Sequence, residues 1–121
     1  MFRLSTQKMI SASHILREYD GPCGRLHGHN WYVKMDVTAG ETDAIGLAID
    51  FKEMDDLLWE VIGPMDHAHL NDIPPFDRIN PSAENLAREI YRRLKPRLPV
   101  SVRLEKITIW ETDQYWVEYY E

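Results

Sequence analysis

The sequence predicts an α+β fold in which two helices cover one face of a single antiparallel sheet. Three observations predict it: apolar and polar residues alternate near the amino terminus, two central segments have the apolar spacing of amphipathic helices, and alternation returns near the carboxyl terminus. The predicted order is β-β-α-α-β-β, and two hairpins forming one sheet beneath both helices are its simplest packing. A length of 121 residues fits one domain, residues 1–121.

The first two strands are predicted from their period-two patterns. Residues 29–39 alternate without interruption, which is typical of a strand with one buried and one solvated face. Residues 2–12 alternate less regularly and predict a weaker strand. The expected buried faces are Phe2, Leu4, Ile10 and Ala12 in the first strand, and His29, Trp31, Val33, Met35, Val37 and Ala39 in the second; Asn30, Tyr32, Lys34, Asp36 and Thr38 take the opposite side.

Two amphipathic helices are predicted between the pairs of strands. Asp50 and Glu53 resemble a capping box, and the helix that follows ends at a Gly-Pro pair. The second helix begins near residues 80–82 (Asn-Pro-Ser) and continues until Pro96 or Pro99 stops it. The apolar positions are Met54, Leu57, Leu58, Val61 and Ile62 in the first helix, and Leu86, Ala87, Ile90, Tyr91 and Leu94 in the second.

The last two predicted strands put an acid, Glu111, on an otherwise apolar strand face. Ile107, Ile109 and Glu111 share one face of a third strand, residues 113–114 form a turn, and residues 116–120 form a fourth strand. Alternation would turn Glu111 toward the core, where acids are seldom found without a partner. A ligand that presents two parallel N–H groups is a suitable partner. The alternative is a carboxylate at the rim of the sheet, in water.

Composition and charge exclude several classes of protein. The net charge of −6 and a pI near 5.3 argue against non-specific nucleic-acid binding, although a local basic cluster can still bind an anionic substrate. No apolar run is long enough to span a membrane, and the amino terminus opens into alternating sequence without the apolar core of a signal peptide. One cysteine excludes an internal disulfide and suits a reducing cytosol, so we expect a cytoplasmic protein.

The histidines predict a metal site. Three of the five lie within sixteen residues, at His14, His27 and His29. Imidazoles two positions apart on a strand project to the same side, and a hairpin of the first two strands would bring His14 beside them. Three neutral imidazoles with an open fourth position are typical of catalytic zinc. The alternative is a polar strand end in which His-x-His binds nothing.

Cys23 lies in a turn, residues 21–24 (Gly-Pro-Cys-Gly), next to Arg25. It could be a fourth ligand, which would close the site and make the zinc structural. It could instead be a free thiol whose pKa falls beside positive charge, so that it acts as a base or a nucleophile. Its position in the sequence does not separate these two interpretations.

Asp66 and His67 follow the first helix directly, at the start of a loop. A carboxylate beside a histidine can fix its tautomer and raise its basicity. The alternative is a solvated pair in a turn. His69 has no matching partner nearby in the sequence, and we expect it to be structural or on the surface.

Several motifs together resemble those of the 6-pyruvoyl-tetrahydropterin synthase family, including its bacterial 6-carboxy-tetrahydropterin synthases. They follow the family's order along nearly the whole chain, whereas His-Gly-His alone would be a weak match. The matching segments are residues 10–14 (ISASH), 23–30 (CGRLHGHN), 66–67 (DH), 70–72 (LND), 81–85 (PSAEN) and 111–112 (ET).

The resemblance implies a tunnelling fold. Trimers of such chains close their sheets into a barrel and pair into hexamers, and their active sites lie at subunit interfaces. Cys23 and the Asp66–His67 pair then need not meet within one chain.

The resemblance also implies a role for each candidate residue. The three histidines would bind Zn²⁺, and Cys23 would accept a proton. Asp66 and His67 would complete a proton relay with Cys23. Glu111 would hold a pterin ring through its 2-amino and N3 hydrogens.

The substrate implied by the resemblance is 7,8-dihydroneopterin triphosphate. The carboxy enzymes convert it with water into 6-carboxy-tetrahydropterin, acetaldehyde and triphosphate, a step toward queuosine and related deazapurines. Three residues separate Cys23 from His27, which is similar to the carboxy enzymes, since the pyruvoyl enzymes typically have a longer insert. The alternatives are the pyruvoyl reaction, in which triphosphate is eliminated and the side chain is kept, and a non-catalytic zinc-stabilised module that binds a pterin or purine.

Overall fold

The computed structural model describes residues 1–121 and contains five strands: β1 (Phe2–His14), β2 (His27–Ala39), β3 (Ala68–His69), β4 (Arg103–Trp110) and β5 (Trp116–Tyr119). They form one mixed sheet with the order β3-β1-β2-β4-β5. The long β1 and β2 form an antiparallel hairpin whose register runs without interruption from Phe2 opposite Ala39 to His14 opposite His27.

The two predicted helices are present, the first beginning at its predicted cap and the second within the predicted start at residues 80–82. Helix α1 (Phe51–Ile62) begins after Asp50, whose carboxylate accepts a hydrogen bond from the backbone N–H of Lys52. Helix α2 (Ala83–Leu94) begins after Ser82, whose hydroxyl accepts one from the N–H of Asn85. Both helices bury their apolar faces on the same side of the sheet, as the α+β prediction requires. Neither has the length and apolar content that a membrane crossing demands.

The core confirms the predicted parity of β2 and β4, and of β1 at Ile10 and Ala12. Phe2, expected on the buried face of β1, is 52% exposed, because it lies at the end of the strand. Trp31, Val33 and Met35 in β2 are completely buried, as are Ile107 and Ile109 in β4. Alternation therefore points these side chains toward the helices and turns the neighbouring residues toward the open face of the sheet.

Asp36 departs from this pattern. It lies on the open face but is 0% exposed, because the Ser5 hydroxyl donates a hydrogen bond to its carboxylate and the Lys34 ammonium lies 3.6 Å away. The expectation that its side of β2 is solvated is therefore wrong at this position. Ser5 from the adjacent strand and Lys34, two positions earlier in β2, allow the charge to be buried.

The strand β3 is the element that the sequence did not predict. Its two residues pair with β1 in parallel, Ala12 with Ala68 and Ser13 with His69, so the sheet is not wholly antiparallel. Two residues are too few to show a period, which is why the pattern missed them. The rest of the outer edge of β1, residues 2–11, has no strand beside it, and β5 forms the opposite edge of the sheet.

Candidate active site

Three histidines meet where β1 ends and β2 begins. His14 lies opposite His27, and His29 lies opposite Ala12 one step further along the hairpin. The ring centroids of His27 and His29 lie 4.5 and 5.2 Å from that of His14. The prediction that a hairpin brings His14 beside the other two is therefore confirmed.

Backbone carbonyls fix the tautomers of two of these rings. Nδ1 of His14 lies 2.8 Å from the carbonyl oxygen of Pro81, and Nδ1 of His27 lies 2.6 Å from that of Arg25. Because a carbonyl can only accept, each Nδ1 carries the hydrogen. The two Nε2 atoms lie 2.9 Å apart. In the neutral rings both present lone pairs, which is an arrangement that needs a cation between or beside them.

His29 and Glu111 complete the cluster. Nε2 of His29 is buried and has no hydrogen-bond partner, although a carboxylate oxygen of Glu111 lies 3.4 Å from it. One ligand atom from each of the three histidines and from Glu111 lies within 4.8 Å of all the others. Strand β4 ends at Trp110, and the next residue turns its carboxylate toward the histidines. Glu111 thus meets imidazoles, a contact the sequence did not reveal.

The donor set fits a metal ion. Burial lowers the pKa of His14 and of His29, which favours the neutral imidazole that a metal requires. Imidazoles that donate Nδ1–H to a carbonyl while presenting Nε2 are the usual arrangement around protein-bound zinc. The unpartnered Nε2 of His29 is the atom that such an ion would satisfy. The cluster can therefore bind a metal.

Trp31 forms one wall of the cluster. Its ring lies edge to face with the rings of His14 and His29, at centroid distances of 4.9 and 5.1 Å. The indole N–H donates to the carbonyl of Ala12, so the ring has a fixed orientation. This wall is rigid and apolar, and it limits the access of water to one side of the histidines.

Cys23 lies in a short helical turn, Pro22–Gly24, between β1 and β2. Its thiol is free and half-buried, and it is not one of the ligand atoms in the histidine cluster. The next residue must be glycine, because a Cβ on Gly24 would lie 2.3 Å from the carbonyl oxygen of Tyr19. Of the two interpretations from the sequence, the geometry favours a free thiol over a fourth ligand.

Asp66 and His67 form a hydrogen-bonded pair after α1. One carboxylate oxygen of Asp66 lies 3.0 Å from Nδ1 of His67, and it accepts a second bond from the backbone N–H of Ser11. The N–H of His67 in turn donates to the carbonyl of Ser11, 2.6 Å away. Ser11 is a residue whose role the sequence did not single out.

The pair has the features of an acid–base group. The bond from Ser11 and the bond from His67 hold the pKa of Asp66 below its ordinary value, so the carboxylate stays charged. The ring of His67 is 81% exposed, which leaves Nε2 open. His67 also has a φ of 56°, in the left-handed region that non-glycine residues rarely adopt and that is enriched at functional sites.

A polar cavity of about 510 Å³ lies beside this pair. Ser11, Ser13 and Asn30 line it from the open face of the sheet, and His29 of the histidine cluster also lines it. His69 also lines it and shares a hydrogen bond with the hydroxyl of Ser13, which agrees with the structural role expected for it. No hydrogen bond joins Cys23 to Asp66 or His67 within the chain.

The fold and the cluster together define an α+β domain whose histidine-rich cluster can bind a metal. A profile of the 6-pyruvoyl tetrahydropterin synthase family matches residues 3–121. The chain therefore belongs to this family.

Three relatives illustrate its range. The chain is 29% identical to a 6-carboxy-5,6,7,8-tetrahydropterin synthase of Haemophilus influenzae over 100% of both chains. It is 33% identical to a dihydroneopterin monophosphate aldolase of Pyrococcus furiosus over 77% of this chain and 76% of that one. The structure of Caenorhabditis elegans 6-pyruvoyl tetrahydropterin synthase superposes with a TM-score of 0.85 at 25% identity, covering 99% of this chain and 95% of the other. These names describe three different reactions, so the choice among them depends on this chain's own residues.

Proposed function

We propose that this enzyme is a 6-carboxy-tetrahydropterin synthase, which converts 7,8-dihydroneopterin triphosphate and water into 6-carboxy-5,6,7,8-tetrahydropterin, acetaldehyde and triphosphate. The observation that carries the proposal is the convergence of His14, His27 and His29, with Glu111 beside them and Cys23 outside the set. With Glu111 reserved for the substrate, the three histidines leave one coordination position open. This is the composition of an open catalytic metal site. The three-residue interval between Cys23 and His27 favours the carboxy reaction within the family.

The three histidines would hold Zn²⁺. When bound there, zinc supplies Lewis acidity toward the hydroxyl groups of the substrate side chain. The carbonyls of Pro81 and Arg25 fix the tautomers of His14 and His27, so that their Nε2 atoms are available as metal ligands.

Proton movement would be shared between two groups. Cys23, as thiolate, accepts a proton from a carbon of the substrate side chain. His67 delivers or removes the partner proton at its open Nε2, while Asp66 holds Nδ1 and stabilises the charged ring. The bonds from Ser11 keep this pair in place before the substrate binds.

Glu111 would hold the pterin ring. Its carboxylate stands at the rim of the histidine cluster, where it can accept two parallel hydrogen bonds from the 2-amino group and N3. Such a pair of bonds would fix the orientation of the ring in the site.

We propose that the active site is completed by a second subunit of a homo-oligomer, a trimer or hexamer. Cys23 and His67 share no hydrogen bond within the chain, and the side chain of His67 is 81% exposed. Both edges of the sheet are open, at β1 and at β5, and open edges are sites for pairing with another chain. We also place the enzyme in the cytoplasm, as the free cysteine suggests, and on the route to queuosine.

One incubation tests the reaction. Purified protein loaded with Zn²⁺ is mixed with 7,8-dihydroneopterin triphosphate, and the pterin product, acetaldehyde and triphosphate are quantified. Equal amounts of acetaldehyde and 6-carboxy-tetrahydropterin support the proposal. Triphosphate without acetaldehyde, with a three-carbon side chain retained on the pterin, would assign the pyruvoyl reaction instead. Dihydroneopterin monophosphate, used as a parallel substrate, tests the aldolase reaction named for the Pyrococcus furiosus relative.

A non-catalytic pterin-binding module is the remaining alternative. It predicts that no product forms and that alkylation of Cys23 by iodoacetamide leaves ligand binding unchanged. Because Cys23 is the sole cysteine, the reagent has one thiol target and the result is direct.

A further inference from the structure

The segment that links His14 to the Cys23 turn has no strand or helix of its own. Strand β1 ends at His14, and residues 15–17 run on without a partner strand. Backbone N–H and C=O groups in such a segment need partners if the segment is to keep one position. Side chains from two distant loops supply them.

Asn71 bonds both the backbone N–H and the carbonyl of Ile15. The N–H of Ile15 donates to Oδ1 of Asn71, and Nδ2 of Asn71 donates to the carbonyl of Ile15, both at 2.9 Å. A carboxamide carries one acceptor and one donor side by side, so it can pair with a residue as an adjacent strand would.

Asn80 likewise bonds both the backbone N–H and the carbonyl of Arg17. The N–H of Arg17 donates to Oδ1 of Asn80 at 2.8 Å, and Nδ2 of Asn80 donates to the carbonyl of Arg17 at 3.0 Å. Asn80 is itself held, because Nδ2 of Asn85 donates to its carbonyl at 2.9 Å. The guanidinium of Arg17 donates to the carbonyl of Phe76 at 2.6 Å, which ties the same loop to the segment a second time.

The hydrogen bonds of Asn71 and Asn80 flank the backbone contacts of the segment with the Cys23 turn and with His14. Between them, the N–H of Leu16 donates to the carbonyl of Cys23 at 3.1 Å. Immediately before them stands His14, whose ring donates to Pro81, the residue next to Asn80. One short segment therefore connects a metal-site histidine, the reactive cysteine and the loop that orients the histidine.

We propose that Asn71 and Asn80 are positioning residues, whose carboxamides hold residues 15–17 where they set the ring of His14 and the turn of Cys23 relative to each other. Both ends of each carboxamide bond the backbone of Ile15 or Arg17, so the role proposed for them is to hold this segment. The inference rests on the proposed roles of His14 and Cys23.

The test uses N71D and N80A. The first keeps the acceptor for Ile15 but replaces the donor with an oxygen that faces a carbonyl; the second removes both groups. I90V is the matched control, since Ile90 is a completely buried core residue of α2 that makes none of these contacts and its shortening weakens the core. For each protein we measure Zn²⁺ affinity by chelator competition, the visible spectrum of the Co²⁺ form, and the rate of Cys23 alkylation by iodoacetamide.

We expect both asparagine variants to lose about 10- to 100-fold in Zn²⁺ affinity, the range typical of residues that orient metal ligands. We also expect an altered Co²⁺ spectrum and an altered alkylation rate, while I90V changes only thermal stability. Parent-like affinity, spectrum and alkylation rate in N71D and N80A would overturn the proposal. These readouts do not depend on turnover, so a parent enzyme that makes no acetaldehyde would refute the proposed reaction and leave the positioning result standing.

Discussion

The Nε2 atoms of His14 and His27 lie 2.9 Å apart, although each ring donates its Nδ1 hydrogen to a backbone carbonyl. Two neutral imidazoles in these tautomers cannot form a hydrogen bond with each other through Nε2. Their approach is favourable only when a cation accepts both lone pairs, and a protein that fixes both tautomers in advance is built for a metal ion.

Removing His27 is therefore expected to abolish tight metal binding. H27A should lose nearly all of the Zn²⁺ that the parent protein retains after dialysis, measured by elemental analysis, because two imidazoles remain where three are needed. H69A is the control: His69 bonds Ser13 on the open face and should keep the parent's metal content. Equal zinc in H27A and the parent would contradict the assignment.

Replacing Cys23 separates catalysis from metal binding. C23A is expected to lower kcat by about 100- to 10,000-fold, the contribution of a positioned acid–base group. Its zinc content should stay at that of the parent, because the thiol lies outside the cluster. A C23A protein that lost its zinc would make Cys23 a ligand.

Glu111 is expected to bind substrate and not metal. E111Q retains the size of the side chain but removes the charge, and charge-assisted hydrogen bonds contribute about 1.5–3 kcal/mol, so KM should rise about 10- to 100-fold. Zinc affinity, measured by chelator competition, should stay within the parent's range. D113N, in the same turn and exposed, is the control and should change neither quantity. A fall in zinc affinity in E111Q alone would instead make Glu111 the fourth ligand.

Mixing two inactive variants tests the shared site. C23A and D66N should each be inactive alone, and their co-refolded mixture should regain part of the activity, because some interfaces then combine an intact Cys23 with an intact Asp66–His67 pair. A mixture of C23A with itself is the matched control. Light scattering of the same samples reports the oligomer, and a fully inactive mixture of demonstrated hetero-oligomers would place the whole site within one chain.

Asp55 is expected to make stability depend on pH in the acid range. The hydroxyl of Thr6 and the ammonium of Lys8, 3.0 Å away, bond its carboxylate and lower its pKa in the folded state. Because the unfolded chain binds this proton more tightly, the contribution is fully present above the ordinary aspartate pKa of about 3.9 and is lost as pH falls through the lower folded value.

Urea unfolding of D55N measures this contribution. The parent should be more stable than D55N at neutral pH, by a modest amount because the carboxylate is 38% exposed, and the difference should shrink in strong acid. D56N, at a more exposed carboxylate of the same helix, should show a smaller difference. A difference between parent and D55N that is constant across the pH range would exclude the ionised carboxylate as its cause.

Local patterns allowed much of the fold to be predicted. Parity in β2 identified Trp31, Val33 and Met35 as core, and the caps at Asp50 and Ser82 located both helices. The patterns failed where a partner comes from another strand: Asp36 was expected in solvent, yet it is buried, and Ser5 of β1 donates a hydrogen bond to its carboxylate. The pairing of Asp66 with His67 was left open by the sequence, because adjacent side chains meet only when the backbone takes an unusual turn, here at the positive φ of His67.

The sequence by itself determined which chemistry is present: imidazoles at His14, His27 and His29 on one parity, a single thiol, and an order of strands and helices that a period of two or 3.6 residues encodes. Only the tertiary structure decided how these groups are held. The carbonyl of Pro81 lies 67 positions from His14 in the chain, and Asn71 lies 56 positions from Ile15, yet both pairs are hydrogen-bonded. Every residue carries the same carbonyl and no local pattern marks which one will meet a distant ring, so such contacts follow from packing alone.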